Sequence, residues 1–68
     1  MKKSDLKIGD KIIQIINGAG SGSPLKITDI DKEYGIIEMG WYGCSYDGVH
    51  KYHRYVRQDG TLENIIDE

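Results

Sequence analysis

Short β-branched runs, separated by glycine and other turn-forming residues, constrain the fold of this chain more than any other feature. Strands are predicted at Lys11–Ile16, at residues 25–31 after Pro24, and at Ile36–Met39, because isoleucine and threonine pack well on a pleated sheet. Pro24 suits the first position of a strand, where a missing N–H is tolerated. Eleven residues are isoleucine and none is phenylalanine. The sequence therefore predicts several short strands.

Three segments carry turn or loop signals. Residues 17–23, NGAGSGS, are predicted to form a flexible loop whose backbone N–H groups could also cradle an anion. This loop is not a nucleotide-binding P-loop, because no Gly-Lys-Ser/Thr follows it. Residues 31–35 are predicted to form a hairpin turn in which Gly35 takes a positive φ. Three glycines interrupt residues 40–48, GWYGCSYDG, which predicts a loop or a strongly bent strand.

Residues 49–57, VHKYHRYVR, fit two different structures. A helix is favoured by the spacing of Val49, Tyr52 and Val56. A strand is favoured by the aromatic and β-branched composition. The exit of the segment decides for the strand, because residues 57–61 have the form of a type I turn closed by a bulge glycine. This turn places Val56 opposite Leu62 in a last strand at residues 62–66.

The predicted strands number five, in a chain of 68 residues. A chain of this length forms one domain and buries only about 60% of its unfolded surface. We therefore expect a single all-β domain over residues 1–68, a small five-stranded antiparallel barrel or rolled sheet, with residues 67–68 as a frayed tail. Such a domain has no room for a large internal active site.

The sequence also bears on the cellular location of the protein. No apolar run approaches the roughly 18 residues that span a bilayer. Met1 is followed by two lysines without the apolar segment of a signal peptide. The single cysteine, Cys44, cannot form a disulfide within the chain. We expect a cytoplasmic protein that does not contact membranes.

The first half of the chain carries a pattern known from other small barrels. Residues 6–12, LKIGDKI, lead through the glycine-rich segment to residues 27–31, ITDID, and then to residues 35–39, GIIEM. In this pattern Gly-Asp-Lys precedes a strand, a second strand ends in Ile-Asp, and a short turn leads to an apolar return strand. The pattern resembles the SH3-like small β-barrels, and within them the KOW-type element. The resemblance covers about half of the chain. It implies a binding scaffold, since such barrels bind nucleic acid or peptides.

The net charge is −2, and the charges fall in blocks of alternating sign. An acidic total argues against strong, indiscriminate DNA binding, but it leaves room for a local basic face. Such a face is predicted in residues 50–57, which contain Lys51, Arg54 and Arg57 and no acid. On a strand, Lys51, His53, Tyr55 and Arg57 would share one face. The alternative is that neighbouring strands of opposite charge pair with each other.

Aromatic residues beside these cations complete a candidate binding site. Nucleic-acid binding requires cations that neutralise phosphates, interleaved with rings that stack on bases. Trp41 and Tyr52 are also expected to lie at least half in the core, since no phenylalanine is there to fill it. We expect a non-catalytic binding module that recognises a phosphate-bearing partner, nucleic acid or a nucleotide, through Trp41, Tyr42, Lys51, His53, Arg54, Tyr55 and Arg57.

Two chemical alternatives have weaker support. Residue types that bind zinc recur at intervals of three, at Cys44, Asp47, His50 and His53. On a strand, however, the two histidines would point to opposite faces. Cys44 could be a nucleophile with a histidine as its base, but no local signature accompanies it. We therefore expect no metal, no cofactor and no catalysis.

The second hypothesis for the function is a protein–protein interaction module. Trp41 and Tyr42 would then be the anchor, because Trp and Tyr are enriched in interface hot spots. A small protein of this kind could inhibit a host protein by occupying its surface, by analogy with small acidic proteins encoded by phages and mobile elements. An open edge strand would in addition allow a homodimer.

Overall fold

The computed structural model describes residues 1–68 and contains seven short strands and one single-turn α-helix. The helix, α1, spans Val49–Tyr52. A 3₁₀ turn at Lys3–Asp5 precedes the first strand. The predicted all-β class is confirmed, with seven strands where the sequence predicts five. The strands are β1 (Lys11–Ile16), β2 (Ala19–Lys26), β3 (Asp29–Asp31), β4 (Ile36–Met39), β5 (Tyr42–Ser45), β6 (His53–Val56) and β7 (Leu62–Asn64).

Antiparallel pairing arranges these strands in two sheets. Four strands form one sheet in the order β2-β1-β6-β7, and three form the other in the order β3-β4-β5. Ile27 and Thr28 connect β2 to β3 and thereby join the two sheets. The Ile27 N–H donates to the Asp10 carbonyl at 2.8 Å, and the Thr28 N–H donates to the Glu38 carbonyl at 2.8 Å. One continuous chain segment is therefore shared by both sheets.

Apolar side chains from both sheets and from α1 meet in one small core. Ile12, Ile27, Ile37 and Val49 are completely buried. Isoleucine supplies four of the seven residues in the buried cluster. The partly buried rings of Tyr46 and Tyr55 pack against this cluster. The full cluster contains Leu6, Ile12, Ile27, Ile37, Met39, Val49 and Ile65.

The predicted hairpin turn at residues 31–35 is confirmed. Asp31 Oδ1 accepts hydrogen bonds from the N–H groups of Glu33 and Tyr34, each at 3.1 Å. Gly35 has a φ of 71°, which a residue with a side chain adopts only at a cost. The Asp31 cap and Gly35 together explain why the local sequence is sufficient to predict this turn.

The predicted turn at residues 57–61 is also confirmed. The Arg57 N–H donates to the Thr61 carbonyl at 2.9 Å, and Gly60 has a φ of 87°. This turn joins β6 to β7 and places Val56 opposite Leu62, as the sequence predicts.

The predicted loop at residues 17–23 is wrong, because most of this segment belongs to β2. The true turn is two residues long: Asn17 has a φ of 54° and Gly18 a φ of 80°, the two positive angles of a type I′ hairpin. Ala19 then pairs directly with Ile16 of β1. Backbone pairing with the β-branched strand β1 outweighs the weak strand propensity of glycine and serine.

Residues 49–57 are divided between α1 and β6, so the prediction of one continuous strand is wrong. The helical turn is closed by the N–H of His53, which donates to the carbonyl of Val49. Val49 is completely buried, and its packing in the core accounts for a helical turn in a segment whose composition favours a strand. β6 then pairs with β1 over its full length. None of the helices has the length and apolar character needed to cross a membrane.

Residues 67–68, which the sequence predicts to fray, are bound to an earlier part of the chain. The Ser4 N–H donates to the Glu68 carbonyl at 2.9 Å, and Lys3 Nζ pairs with Asp67 Oδ1 at 2.7 Å. This hydrogen-bonded ion pair raises the pKa of Lys3 and lowers the pKa of Asp67. Lys3 and Asp67 are 64 positions apart in the sequence, so no local sequence pattern predicts this contact.

Ile36 and Ile37 offer a matched test of the core. Ile37 is completely buried, whereas its neighbour Ile36 is 43% exposed. We expect Ile37→Ala to lower the free energy of unfolding by about 2–5 kcal/mol, because it leaves a cavity. Ile36→Ala should lower it by less than about 1 kcal/mol. Urea unfolding measures both values, and equal losses in the two variants would contradict this description of the core.

Candidate binding site

The structure distributes the seven predicted site residues over separate parts of the surface. Trp41, Tyr42 and His53 line one groove, which we name the aromatic groove. Tyr55 and Arg57 line a second one, the basic groove. The remaining two, Lys51 and Arg54, line neither. The face predicted to contain Lys51, His53, Tyr55 and Arg57 is not formed, because Lys51 belongs to α1.

The aromatic groove lies between β2 of the first sheet and β5 of the second. Its volume is about 380 Å³, a size typical of sites for small ligands. Its polar side chains include Gln14, Ser21, Ser23 and His53, and no lysine, arginine or carboxylate lines it. The apolar lining comes from Ile12, Leu25, Met39, Trp41, Tyr42 and Cys44.

Trp41 stands beside this groove on the two-residue turn between β4 and β5. It is 92% exposed, so the expectation that it lies at least half in the core is wrong. The strand ends at Met39, and Gly40, with a φ of 71°, turns the chain before Trp41 can continue the buried face. The Tyr42 ring lies against the Trp41 ring with a centroid separation of 5.0 Å. The two rings form a continuous exposed aromatic surface.

Thr28 holds the turn that carries Trp41. Its Oγ1 accepts from the Gly40 N–H at 2.9 Å and donates to the Glu38 carbonyl at 3.2 Å. Gly40 directly precedes Trp41, so a side chain at the junction of the two sheets fixes where Trp41 is presented. The exposed ring is therefore attached to an ordered part of the backbone.

Burial favours the neutral forms of Cys44 and His53 in the aromatic groove. It raises the pKa of the Cys44 thiol and lowers the pKa of the His53 imidazole. Nδ1 of His53 is buried and has no hydrogen-bond partner in the chain. A thiol with a raised pKa is a poor nucleophile, which argues against a catalytic role for Cys44. The groove is uncharged near neutral pH and suits apolar groups.

The other residues singled out in the sequence face elsewhere. Tyr52 is 61% exposed in α1, so its expected position in the core is wrong. Its helical turn directs Val49 to the core instead. Arg54 and Tyr55 are consecutive in β6, and their side chains therefore point to opposite faces of the sheet.

The basic groove lies beside β1, β2 and the turn that follows β6, and its volume is about 700 Å³. Three cations line it: Lys11, Lys26 and Arg57. Lys11 and Lys26 lie directly opposite each other in the β1–β2 hairpin. The sequence interpretation missed both lysines, because their pairing depends on a shift in register between Ile12 and Gln14. The Asn17-Gly18 turn signal would have revealed the hairpin but not this shift.

The candidate zinc ligands are not brought together. Cys44 lies on β5, His50 in α1 and His53 on β6. No group of three or more His, Cys, Asp or Glu side chains is placed to hold a metal ion. The regular spacing in the sequence is lost, because the segment crosses three different elements.

No protein-family model, curated protein or solved structure matches this chain. The resemblance of its first half to KOW-type elements therefore stays a prediction. Its function has to follow from the chemistry of the two grooves.

The imidazole of His53 predicts a dependence of stability on pH. Burial lowers its pKa below the ordinary value of 6.5, so the unfolded chain binds this proton more readily than the folded protein. The contribution of His53 to stability is therefore complete above about pH 6.5 and decreases as the pH falls toward the folded pKa. Urea unfolding at a series of pH values measures this decrease.

Two variants separate His53 from the other titrating groups. His53→Gln removes the titrating group and should make stability fall less steeply below about pH 6.5. His50→Gln, the control, should leave the His53 contribution in place. A decline that is as steep in His53→Gln as in the wild type would contradict the assignment.

Proposed function

We propose that this protein is a non-catalytic binding module that captures a partner protein with the aromatic groove. The observation that carries the proposal is the 92% exposure of Trp41 at the edge of that groove. Single exposed apolar residues are ordinary, but contiguous ones mark interaction surfaces. Trp41, Tyr42 and Leu25 are contiguous around one concavity. Trp and Tyr are also the residue types most enriched in interface hot spots.

Burial of the Trp41 ring alone does not supply enough free energy for stable binding of a partner. A buried tryptophan removes on the order of 200 Å² from water, which is worth about 5 kcal/mol. Association costs about 4–15 kcal/mol in lost freedom of movement. A stable complex therefore also has to bury the neighbouring exposed apolar side chains, which Leu25 and Tyr42 supply. The groove fits a protruding apolar side chain of the partner, with Trp41 packing over it.

The chemistry of the groove favours protein over nucleic acid as its occupant. Sites for single-stranded nucleic acid place cations along the phosphate path beside the stacking rings. No lysine or arginine lines the aromatic groove. Its neutral, largely apolar lining matches the composition of the buried centre of a protein interface, where charged residues are depleted.

We also propose that the domain is an SH3-like scaffold of the kind that the resemblance implies. Two features support this proposal: β2 and β3 form one segment shared by both sheets, and β6 returns to pair with β1. A domain this small acts by occupying the surface of its partner. Inhibition of a host protein, as predicted from the sequence, is one consequence of such binding.

Trp41→Ala should strongly weaken partner capture without unfolding the domain, because the ring contributes nothing to the buried core. We expect binding to weaken by at least about 2 kcal/mol, roughly thirtyfold in Kd. Affinity purification with the immobilised wild type identifies the partner. Isothermal titration of the purified partner against both proteins then measures the loss.

Tyr34→Ala and Lys51→Glu are the controls for this experiment. Tyr34 is an exposed ring in the turn at residues 31–35, and neither residue lines the aromatic groove. Both variants should retain capture, with circular dichroism spectra like that of the wild type. Capture that survives Trp41→Ala but is lost in Lys51→Glu would contradict the proposal and favour a phosphate-bearing partner on residues 50–57.

Thr28→Val tests whether the position of Trp41 matters as well as its presence. Valine keeps the shape of threonine but can neither accept the hydrogen bond from the Gly40 N–H nor donate one to the Glu38 carbonyl. We expect the partner to bind about fivefold more weakly, equivalent to about 1 kcal/mol for the hydrogen bond that holds Gly40. The fluorescence anisotropy of Trp41, the only tryptophan, should also fall as its turn loosens. Thr61→Val, far from this turn in sequence, should leave the anisotropy unchanged.

A further inference from the structure

We propose that the basic groove is a second site, separate from the aromatic groove, and that it binds a phosphate group through Lys11, Lys26 and Arg57. Of these three residues, the sequence identifies only Arg57 as a candidate for phosphate recognition. The two lysines become neighbours through the β1–β2 hairpin. This site does not depend on the protein-binding function proposed for the aromatic groove.

Lys11 and Lys26 form an uncompensated pair of like charges. They lie directly opposite each other on antiparallel strands. Residues in such positions have Cβ atoms about 4.5–5.5 Å apart, and like charges there destabilise a sheet. Neither lysine takes part in an ion pair within the chain. An anion between the two ammonium groups would replace their repulsion with two attractive contacts.

The one acid that lines this groove is already neutralised. Asp10 is the only buried carboxylate, and it accepts from the backbone N–H of Lys7 at 3.0 Å and from Lys7 Nζ at 3.1 Å. The same hydrogen bond raises the pKa of Lys7. Asp10 is thus committed to Lys7, which leaves the charges of Lys11 and Lys26 for a ligand.

Arg57 is oriented before any ligand binds. Its Nε donates to Glu63 Oε1 at 3.1 Å, and its Nη1 donates to Thr61 Oγ1 at 3.1 Å. Nη2 makes no hydrogen bond within the chain, so one end of the guanidinium is available to an anion. A cation held by other contacts loses less entropy when it binds, which favours affinity.

The shape of the groove fits a phosphate that is attached to a larger group. Gly9 and Gly60, with φ values of 98° and 87°, line it and allow a ligand to approach the backbone closely. Only two of the ten lining residues are hydrophobic, so a strongly hydrated anion meets a polar surface. The volume of about 700 Å³ exceeds that of one phosphate and leaves room for the molecule that carries it.

Three donors that approach from separate residues favour phosphate over a carboxylate. A carboxylate is matched by a single arginine in a two-pronged contact, whereas a phosphate offers oxygens in several directions. The phosphate can belong to a small phosphorylated molecule or to a nucleic-acid strand, which present the same group to these three residues. Contacts to phosphate weaken as salt is added, because counterions compete for the same charges.

A titration followed by ¹H–¹⁵N correlation spectra tests the site residue by residue. Pyrophosphate, adenosine monophosphate and a short single-stranded DNA are added separately at low ionic strength, and each titration is repeated at physiological salt. We expect the amide signals of Lys11, Lys26 and Arg57 to shift together, and the Kd to rise with salt. Equal affinities for the mononucleotide and the DNA would identify a small ligand as the source of the phosphate. Much tighter binding of the DNA would identify a strand.

Lys26→Glu and Lys32→Glu form a matched pair of variants, because both change the net charge equally. Lys32 lies in the turn at residues 31–35, outside the basic groove. Lys26→Glu should weaken pyrophosphate binding by at least about tenfold, the loss expected for one charged contact, and Lys32→Glu should not. Lys26→Glu should also raise the Tm in phosphate-free buffer, because it replaces a like-charge pair with an opposite-charge pair. The proposal is overturned if the two variants bind pyrophosphate equally, or if the groove signals do not move.

Discussion

Both sheets depend on the two residues at which the chain passes from one to the other. The side chain of Ile27 is completely buried, its N–H donates to the Asp10 carbonyl, and its own carbonyl accepts from the Gly9 N–H at 2.9 Å. Thr28 directly precedes β3 of the second sheet and holds the turn of Trp41 through its hydroxyl. Lys26, one position earlier, belongs to the basic groove. A single backbone segment therefore sets the positions of the core and of both grooves, and repacking at Ile27 would displace all three.

Local turn chemistry explains which parts of the fold could be predicted from the sequence. The hairpin at residues 31–35 and the turn at residues 57–61 each contain an aspartate and a glycine with positive φ and are flanked by apolar residues, and both are confirmed. Asn17-Gly18 carries an equally strong hairpin signal, but the glycines and serines after it mask the strand they form. Residues 49–57 change from helix to strand because Val49 is drawn into the core. That is a tertiary effect which propensity does not contain.

The candidate binding residues were less predictable than the strands. Sequence reasoning found the exposed Trp41 and Tyr42 as an anchor, but it also expected Trp41 to fill the core, since nothing local shows that Gly40 ends the buried face. The basic face predicted from the sequence combined Lys51, Arg54 and Arg57, which are close in sequence. The β1–β2 hairpin instead brings together Lys11 and Lys26, which are distant in sequence. Lys11 and Lys26 meet only because the pairing of β1 with β2 shifts between Ile12 and Gln14. Turn length alone does not reveal a shift of that kind.

The irregular pairing of β2 with β1 has a consequence for the tendency of the protein to aggregate at high concentration. β2 is an edge strand of the four-stranded sheet, and all eight of its residues are exposed. An exposed strand edge is a template on which a strand of another chain can pair. Here Gly22, Ser23 and Pro24 lie across from the single residue Ile13, and Pro24 has no N–H to donate. The interruption breaks the row of donors and acceptors into two short pieces, which limits the aggregation that the rest of the strand would favour.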